Sequence, residues 1–235
     1  MSLRCDSREM VMLDTILSVA QVVPVTEAEG PGLRFALWFQ GCPLRCPGCC
    51  NPEMLPFSGG TPTTVREVLA LLDEARTQGV EGITLLGGEP LAHATGGAVL
   101  AREARARGLS VMVFSGHTID EVRTMADPAV DELLALTDIL VDGPYVRELP
   151  DSTRRWVGST NQGIHFLTDR YEYDTAWRKS NTLEIRLENG VLTVNGFPGR
   201  SAVSLWKRPR RSLPIVSEKE ANHRVTEGTE KTESR

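Results

Sequence analysis

Apolar and polar positions change period along the chain, and the changes mark its elements. Residues 13–25 (LDTILSVAQVVPV) form a β-prone stretch followed by the turn Gly30-Pro31-Gly32. Residues 33–39 (LRFALWF) are a continuous apolar run of the kind that makes a buried strand. Over 64–78, Val65, Val68, Leu69, Leu72 and Ala75 recur at helical spacing, with Thr63 or Thr64 as cap, so the spacing predicts a helix. The alternation continues with a strand at 82–86 (GITLL), a helix at 95–107 ended by Gly108 and a strand at 109–114 (LSVMVF). A helix follows at 118–136 with a break at Pro128, then strands at 139–141 and 163–168. Strands alternating with helices predict an α/β fold with a parallel sheet and right-handed crossovers. About five such strands are too few for a closed eight-stranded barrel, which takes roughly 250 residues. A partial, open (β/α) barrel is the expected architecture.

The C-terminal part reads differently. Residues 182–188 and 191–197 alternate apolar and polar positions around Asn189-Gly190, a strong hairpin signal. From Lys207 onward the composition is polar, and 207–235 is expected to be a disordered tail. The expected organisation is a flexible terminus over 1–12, one domain over 13–206 with its hairpin at about 182–197, and the tail.

Composition adds exclusions. Of 235 residues, 40% are hydrophobic and 24% charged, as in ordinary globular proteins. A net charge of −5 gives no reason to expect nucleic acid or an anionic membrane as partner. No apolar run is long enough to span a bilayer, and residues 1–10 lack an apolar signal core, so a cytoplasmic location is expected.

The chemistry sits in the loop from 40 to 62, which is rich in Cys, Pro and Gly. Cys42, Cys46, Cys49 and Cys50 fall within nine residues of it, and Cys5 stands apart. A disulfide framework spreads its cysteines to close loops, whereas clustered thiols point to a metal or redox site. The spacing C-x₃-C-x₂-C over Cys42, Cys46 and Cys49 offers soft thiolates suited to an iron–sulfur cluster or zinc. Three thiolates on a [4Fe–4S] cubane leave one iron open for a small ligand. A structural zinc site needs a fourth ligand from Cys50, Cys5 or the scattered His93, His117, His165 and His223. An electron-transfer cluster with four cysteine ligands and buried cysteines without metal are the other readings.

With these motifs the chain resembles the radical SAM superfamily, and among its branches the small glycyl-radical activating enzymes that serve anaerobic ribonucleotide reductase. The resemblance covers about 13–198. It rests on Gly30-Pro31-Gly32, the phrase WFQGCPLRCPGCCNPE, Gly87-Gly88-Glu89-Pro90, Val141-Asp142-Gly143-Pro144-Tyr145, Gly158-Ser159-Thr160-Asn161-Gln162 and Asn195-Gly196-Phe197-Pro198. The chain departs from it at Cys50, where activators usually carry His or an aromatic residue, and in its long polar tail. Gly48 stands where many superfamily members have an aromatic residue.

The resemblance implies a [4Fe–4S] cluster on Cys42, Cys46 and Cys49 and S-adenosylmethionine (SAM) bound at the open iron. It implies that the Gly87-Gly88-Glu89 backbone holds the methionyl amino group, with Glu89 helping to hold that charge. Ser115 and Asp142 follow strands directly and are candidates for binding SAM. Gly48 and Cys50 flank Cys49 and are candidates for backbone contact with the adenine, Cys50 equally an inert neighbour. No catalytic residue is expected beyond the cluster and SAM. The implied partners are a large glycyl-radical protein and flavodoxin or ferredoxin as electron donor. A radical SAM enzyme acting on a peptide or small molecule is the alternative. A non-enzymatic iron–sulfur or zinc protein is the alternative of another class.

Overall fold

The computed structural model describes residues 11–188 and 190–197. The expected flexible terminus and the tail over 207–235 lie outside these, except for Val11 and Met12. Nine strands and four α-helices are described: β1 (Ile16–Thr26), β2 (Arg34–Phe39), β3 (Thr61–Thr64), α1 (Val65–Arg76), β4 (Gly82–Gly87), α2 (Ala94–Ala106), β5 (Ser110–Phe114), α3 (Ile119–Thr124), α4 (Pro128–Leu136), β6 (Ile139–Asp142), β7 (Gly163–Phe166), β8 (Leu183–Glu188) and β9 (Val191–Gly196).

Seven strands form one sheet in the order β3-β1-β2-β4-β5-β6-β7. Its centre, β2-β4-β5-β6, is parallel. The flanks are not: β1 runs antiparallel to both β2 and β3, and β7 runs antiparallel to β6. The expectation of about five parallel strands is therefore corrected to four. The physical reason is the connection. A parallel neighbour needs a crossover element, and 143–162 contains no helix or strand, so the chain turns back beside β6. The sheet is mixed and open, with β3 and β7 at its edges.

Strand β3 lies inside the stretch read as loop. Its Thr61-Pro62-Thr63-Thr64 pairs only with β1, and proline is tolerated on such an edge. The expected helix over 118–136 is two helices. Met125 leaves the helical conformation, and Asp127 caps α4 by accepting from the Ala129 amide, with Pro128 at the first helical position.

The helix α1 has the buried face its spacing implies, Val65, Val68, Leu69, Leu72 and Ala75, and a reciprocal capping box between Thr64 and Glu67. Side chains from α1, α2, α3 and α4 all join one core cluster with Phe35, Leu37, Phe39, Ile83, Leu85, Val111, Val113 and Leu140. The alternate strand residues, Ala36, Trp38, Leu86, Met112, Ile139 and Val141, pack on the opposite face without α-helices. Burial on both faces explains why these strands read as continuous apolar runs. The hairpin β8–β9 forms as its pattern predicts. It docks through polar groups: Arg186 donates to the Val25 carbonyl at 2.6 Å, and Asn195 donates to Thr26 Oγ1 at 2.9 Å. Ile185, Leu187 and Leu192 stay exposed.

Candidate cluster site

The parallel strands end side by side, Phe39 opposite Gly87 and Phe114 opposite Val141. Ligand sites of parallel α/β folds lie at these carboxyl ends. The cysteine loop follows β2, Gly88 and Glu89 follow β4, Ser115 follows β5, and Asp142 closes β6.

The base of the cysteine loop is tied down by backbone bonds. Gly41 and Cys42 donate to the carbonyls of Met54 and Leu55 at 2.9 and 3.1 Å. Gln40 Nε2 reaches the carbonyls of Glu53 and Pro56 at 3.0 and 2.7 Å. The turn after β4 is bonded to the same loop: Gly88 donates to the Phe39 carbonyl at 2.7 Å and Glu89 to the Gly41 carbonyl at 2.9 Å. A Cβ on Gly88 would overlap the Gly41 carbonyl, and Gly87 has φ +107° with Phe39 N 2.6 Å from where its Cβ would stand. Both positions require glycine.

Cys42 is buried, Cys46 and Cys49 are half-buried and Cys50 is exposed. The Tyr145 amide hydrogen-bonds to the Cys46 thiol, opposing the burial that pushes that thiol up. A hydrogen bond with Cys50 and one from the Asn51 amide pull the Cys49 thiol down to about 6, against burial. The same contact with Cys49 pushes Cys50 up. Among the described residues, no three His, Cys, Asp or Glu side chains are placed to hold a single metal ion. A mononuclear zinc needs its ligands within roughly 2.3 Å of one point, whereas a cubane separates its thiolates. The donor set and the backbone amides on two of the sulfurs fit a cluster.

The carboxylate of Glu89 is buried. It accepts from Leu91 N (3.0 Å), Ser115 Oγ (3.0 Å) and Gly116 N (2.9 Å). Burial pushes its carboxyl up, against the pull of these donors and of His117. The Ser115 hydroxyl spends its proton on Glu89 and accepts from the His117 amide at 3.0 Å. Asp142 accepts from Ile119 N at 2.5 Å and Gly163 N at 3.0 Å, with His165 Nε2 at 3.1 Å. These three residues, singled out as ligand-binding candidates, all lie at the carboxyl ends of the parallel strands, where their side chains bind loops to one another. Trp38 and Phe39 are core, as expected, and His93 stacks on Phe39 at 4.9 Å.

The family described as a 4Fe-4S single cluster domain matches residues 28–165. The anaerobic ribonucleoside-triphosphate reductase-activating protein of Salmonella typhimurium is 34% identical over 154 residues, 63% of this chain and 97% of that protein. The chain belongs to this family of activating proteins. A more distant member, from Enterobacteria phage T4, is 28% identical over 153 residues, 63% of this chain and 94% of its own length. The crystal structure of QueE from Escherichia coli overlaps in part, with a TM-score of 0.39 and 17% identity over 48% of this chain and 58% of that one.

The family match ends at residue 165, so the hairpin β8–β9 lies beyond it. Two contacts were not legible in the sequence, one at the site and one at the opposite end of the strands. Arg147 reaches the cysteine loop from 99 residues away, and Glu29 receives the Gly196 amide at 2.6 Å. A charged residue within a family motif is the one signal that would have drawn attention to Glu29, beside Gly30-Pro31-Gly32.

Proposed function

We propose that this chain is a radical SAM activating enzyme that installs a glycyl radical on anaerobic ribonucleotide reductase. The observation that carries it is the backbone bonding of Gly88 to Phe39 and of Glu89 to Gly41, which ties the root of the Cys42–Cys46–Cys49 loop to the turn that this reading assigns to SAM. In this reading Cys42, Cys46 and Cys49 hold a [4Fe–4S] cluster and leave one iron open. When bound, the cluster supplies one electron to the sulfonium of SAM, which cleaves it to methionine and a 5′-deoxyadenosyl radical that abstracts hydrogen from a glycine Cα. The Gly87-Gly88 backbone receives the methionyl amino group, Glu89 and Ser115 fix that turn, and Asp142 fixes the neighbouring loop. Gly48 and Cys50 offer backbone to the adenine.

The strand order β2-β4-β5-β6 progresses in one direction, with the helices packed on one face. That arrangement supports reading the sheet as an open portion of a (β/α) barrel. The reading takes 13–206 as one domain. The partner is the large glycyl-radical reductase, which the relatives' names point to, and a flavodoxin or ferredoxin is the electron source. No helix among the described residues is long and apolar enough to cross a membrane.

The test is anaerobic. The full chain is reconstituted with iron and sulfide, reduced with dithionite and given SAM, and 5′-deoxyadenosine is assayed by mass spectrometry. Wild type forms it and Cys46→Ala does not. Adding the reductase then yields the glycyl-radical paramagnetic signal. A fully loaded protein that neither forms 5′-deoxyadenosine nor changes its cluster signal with SAM overturns the reading.

A further inference from the structure

The segment after β6 crosses the cysteine loop. The Tyr145 amide faces the Cys46 sulfur, and Arg147 Nη2 donates to the Gly48 carbonyl at 3.2 Å. Gly48 stands between Cys46 and Cys49 with φ +76°, and Arg147 Nε lies 2.7 Å from where a Cβ on it would be. The guanidinium therefore rests against backbone that carries no side chain, beside two of the three ligating thiols. The crossing segment is held from behind. Val146 N donates to Ser159 Oγ at 3.1 Å, Asn161 Nδ2 to the Pro144 carbonyl at 2.7 Å and Gln162 Nε2 to the Gly143 carbonyl at 3.0 Å. Gln162 Oε1 in turn accepts from the amides of Gly158 and Ser159 at 3.1 Å. The Asp142–Tyr145 and Gly158–Gln162 motifs thus clamp each other and aim Arg147.

We propose that Arg147 is a positioning residue that sets the reduction potential of the cluster, its cation on the Gly48 carbonyl favouring the reduced form. This rests on the cluster reading above. Reduction adds one negative charge to a centre already carrying three thiolates, and net charge and hydrogen bonding near the sulfurs set iron–sulfur potentials. Arginine keeps its charge at every working pH. Arg147 is exposed, so salt screens part of its effect.

The test is a redox titration of the reconstituted full chain with dithionite, read by the paramagnetic signal of the reduced cluster. Wild type is compared with Arg147→Gln and Arg147→Lys. Arg147→Gln is expected to lower the equilibrium constant for reduction about three- to tenfold, tenfold being 59 mV for one electron. Arg147→Lys stays close to wild type. An Arg147→Gln protein with full iron content and the wild-type midpoint overturns the proposal. Should that variant not take up iron, wild type and Arg147→Lys are titrated at low and high salt. A midpoint that falls with salt sustains the proposal, and one that does not move overturns it. Absence of 5′-deoxyadenosine would count against the proposed function and leave the comparison of midpoints intact.

Discussion

The amide of Glu89 donates to the carbonyl of Gly41 across 2.9 Å, so the turn after β4 and the root of the cysteine loop are one hydrogen-bonded body. Its neighbour Gly88 lies against the same carbonyl with no room for a side chain. Gly88→Ala is expected to separate the two segments and cost about 2 kcal/mol or more, as overpacking against fixed backbone does. Thermal unfolding and the response of the cluster signal to SAM check it. A variant that melts like wild type and still responds to SAM would show that the close approach is dispensable.

Glu89 accepts from three donors with both its oxygens. Glu89→Gln turns one acceptor into an NH₂ that faces those donors, leaving a buried pair unmatched at a cost of about 1–3 kcal/mol. Chemical unfolding of the variant should show a clearly lower midpoint. An unchanged midpoint would mean that the rim does not depend on this carboxylate.

Glu29 is buried and receives Gly196 N at 2.6 Å and Asn195 Nδ2 at 3.4 Å. Burial raises its carboxyl to about 8, Glu184 adds to this, and the two donors and Arg186 oppose it. Its folded pKa exceeds its unfolded value of 4.5, so the folded state binds the proton more tightly. The stability it contributes is full below the unfolded value and is lost as pH rises through the folded one. Wild type should therefore lose up to a few kcal/mol from this group between about pH 5 and 8, and Glu29→Gln should lose less. Parallel pH profiles for the two proteins would contradict this.

Cys50 adjoins Cys49 in the chain, and its thiol is hydrogen-bonded to that of Cys49. Cys50→Ser is expected to bind iron and sulfide like wild type, whereas Ala at Cys42, Cys46 or Cys49 loses the cluster. Iron and sulfide analysis after reconstitution measures both. Loss of iron in Cys50→Ser would place Cys50 among the ligands.

The sequence by itself determined the parts that depend on local chemistry. The apolar runs of β2, β4, β5 and β6, the spacing of α1 with its Thr64 cap, the Asn189-Gly190 hairpin and the clustered thiols before Gly87-Gly88 were legible because each follows from neighbours a few residues away. Long-range pairing decided the rest. The direction of β7 and the existence of β3 depend on which strand edges are free, and period alone carries no such information. The partners of Glu89, Ser115 and Asp142 were set by where the loop amides converge: carboxylates and a hydroxyl at the carboxyl ends of the strands found internal donors. The polar docking of β8–β9 inverted the usual rule for an alternating strand, because the β1–β2 turn offers it carbonyls, a hydroxyl and the Glu29 carboxyl. Arg147 came to Gly48 only through the fold, since a contact spanning 99 residues leaves no trace in the local pattern.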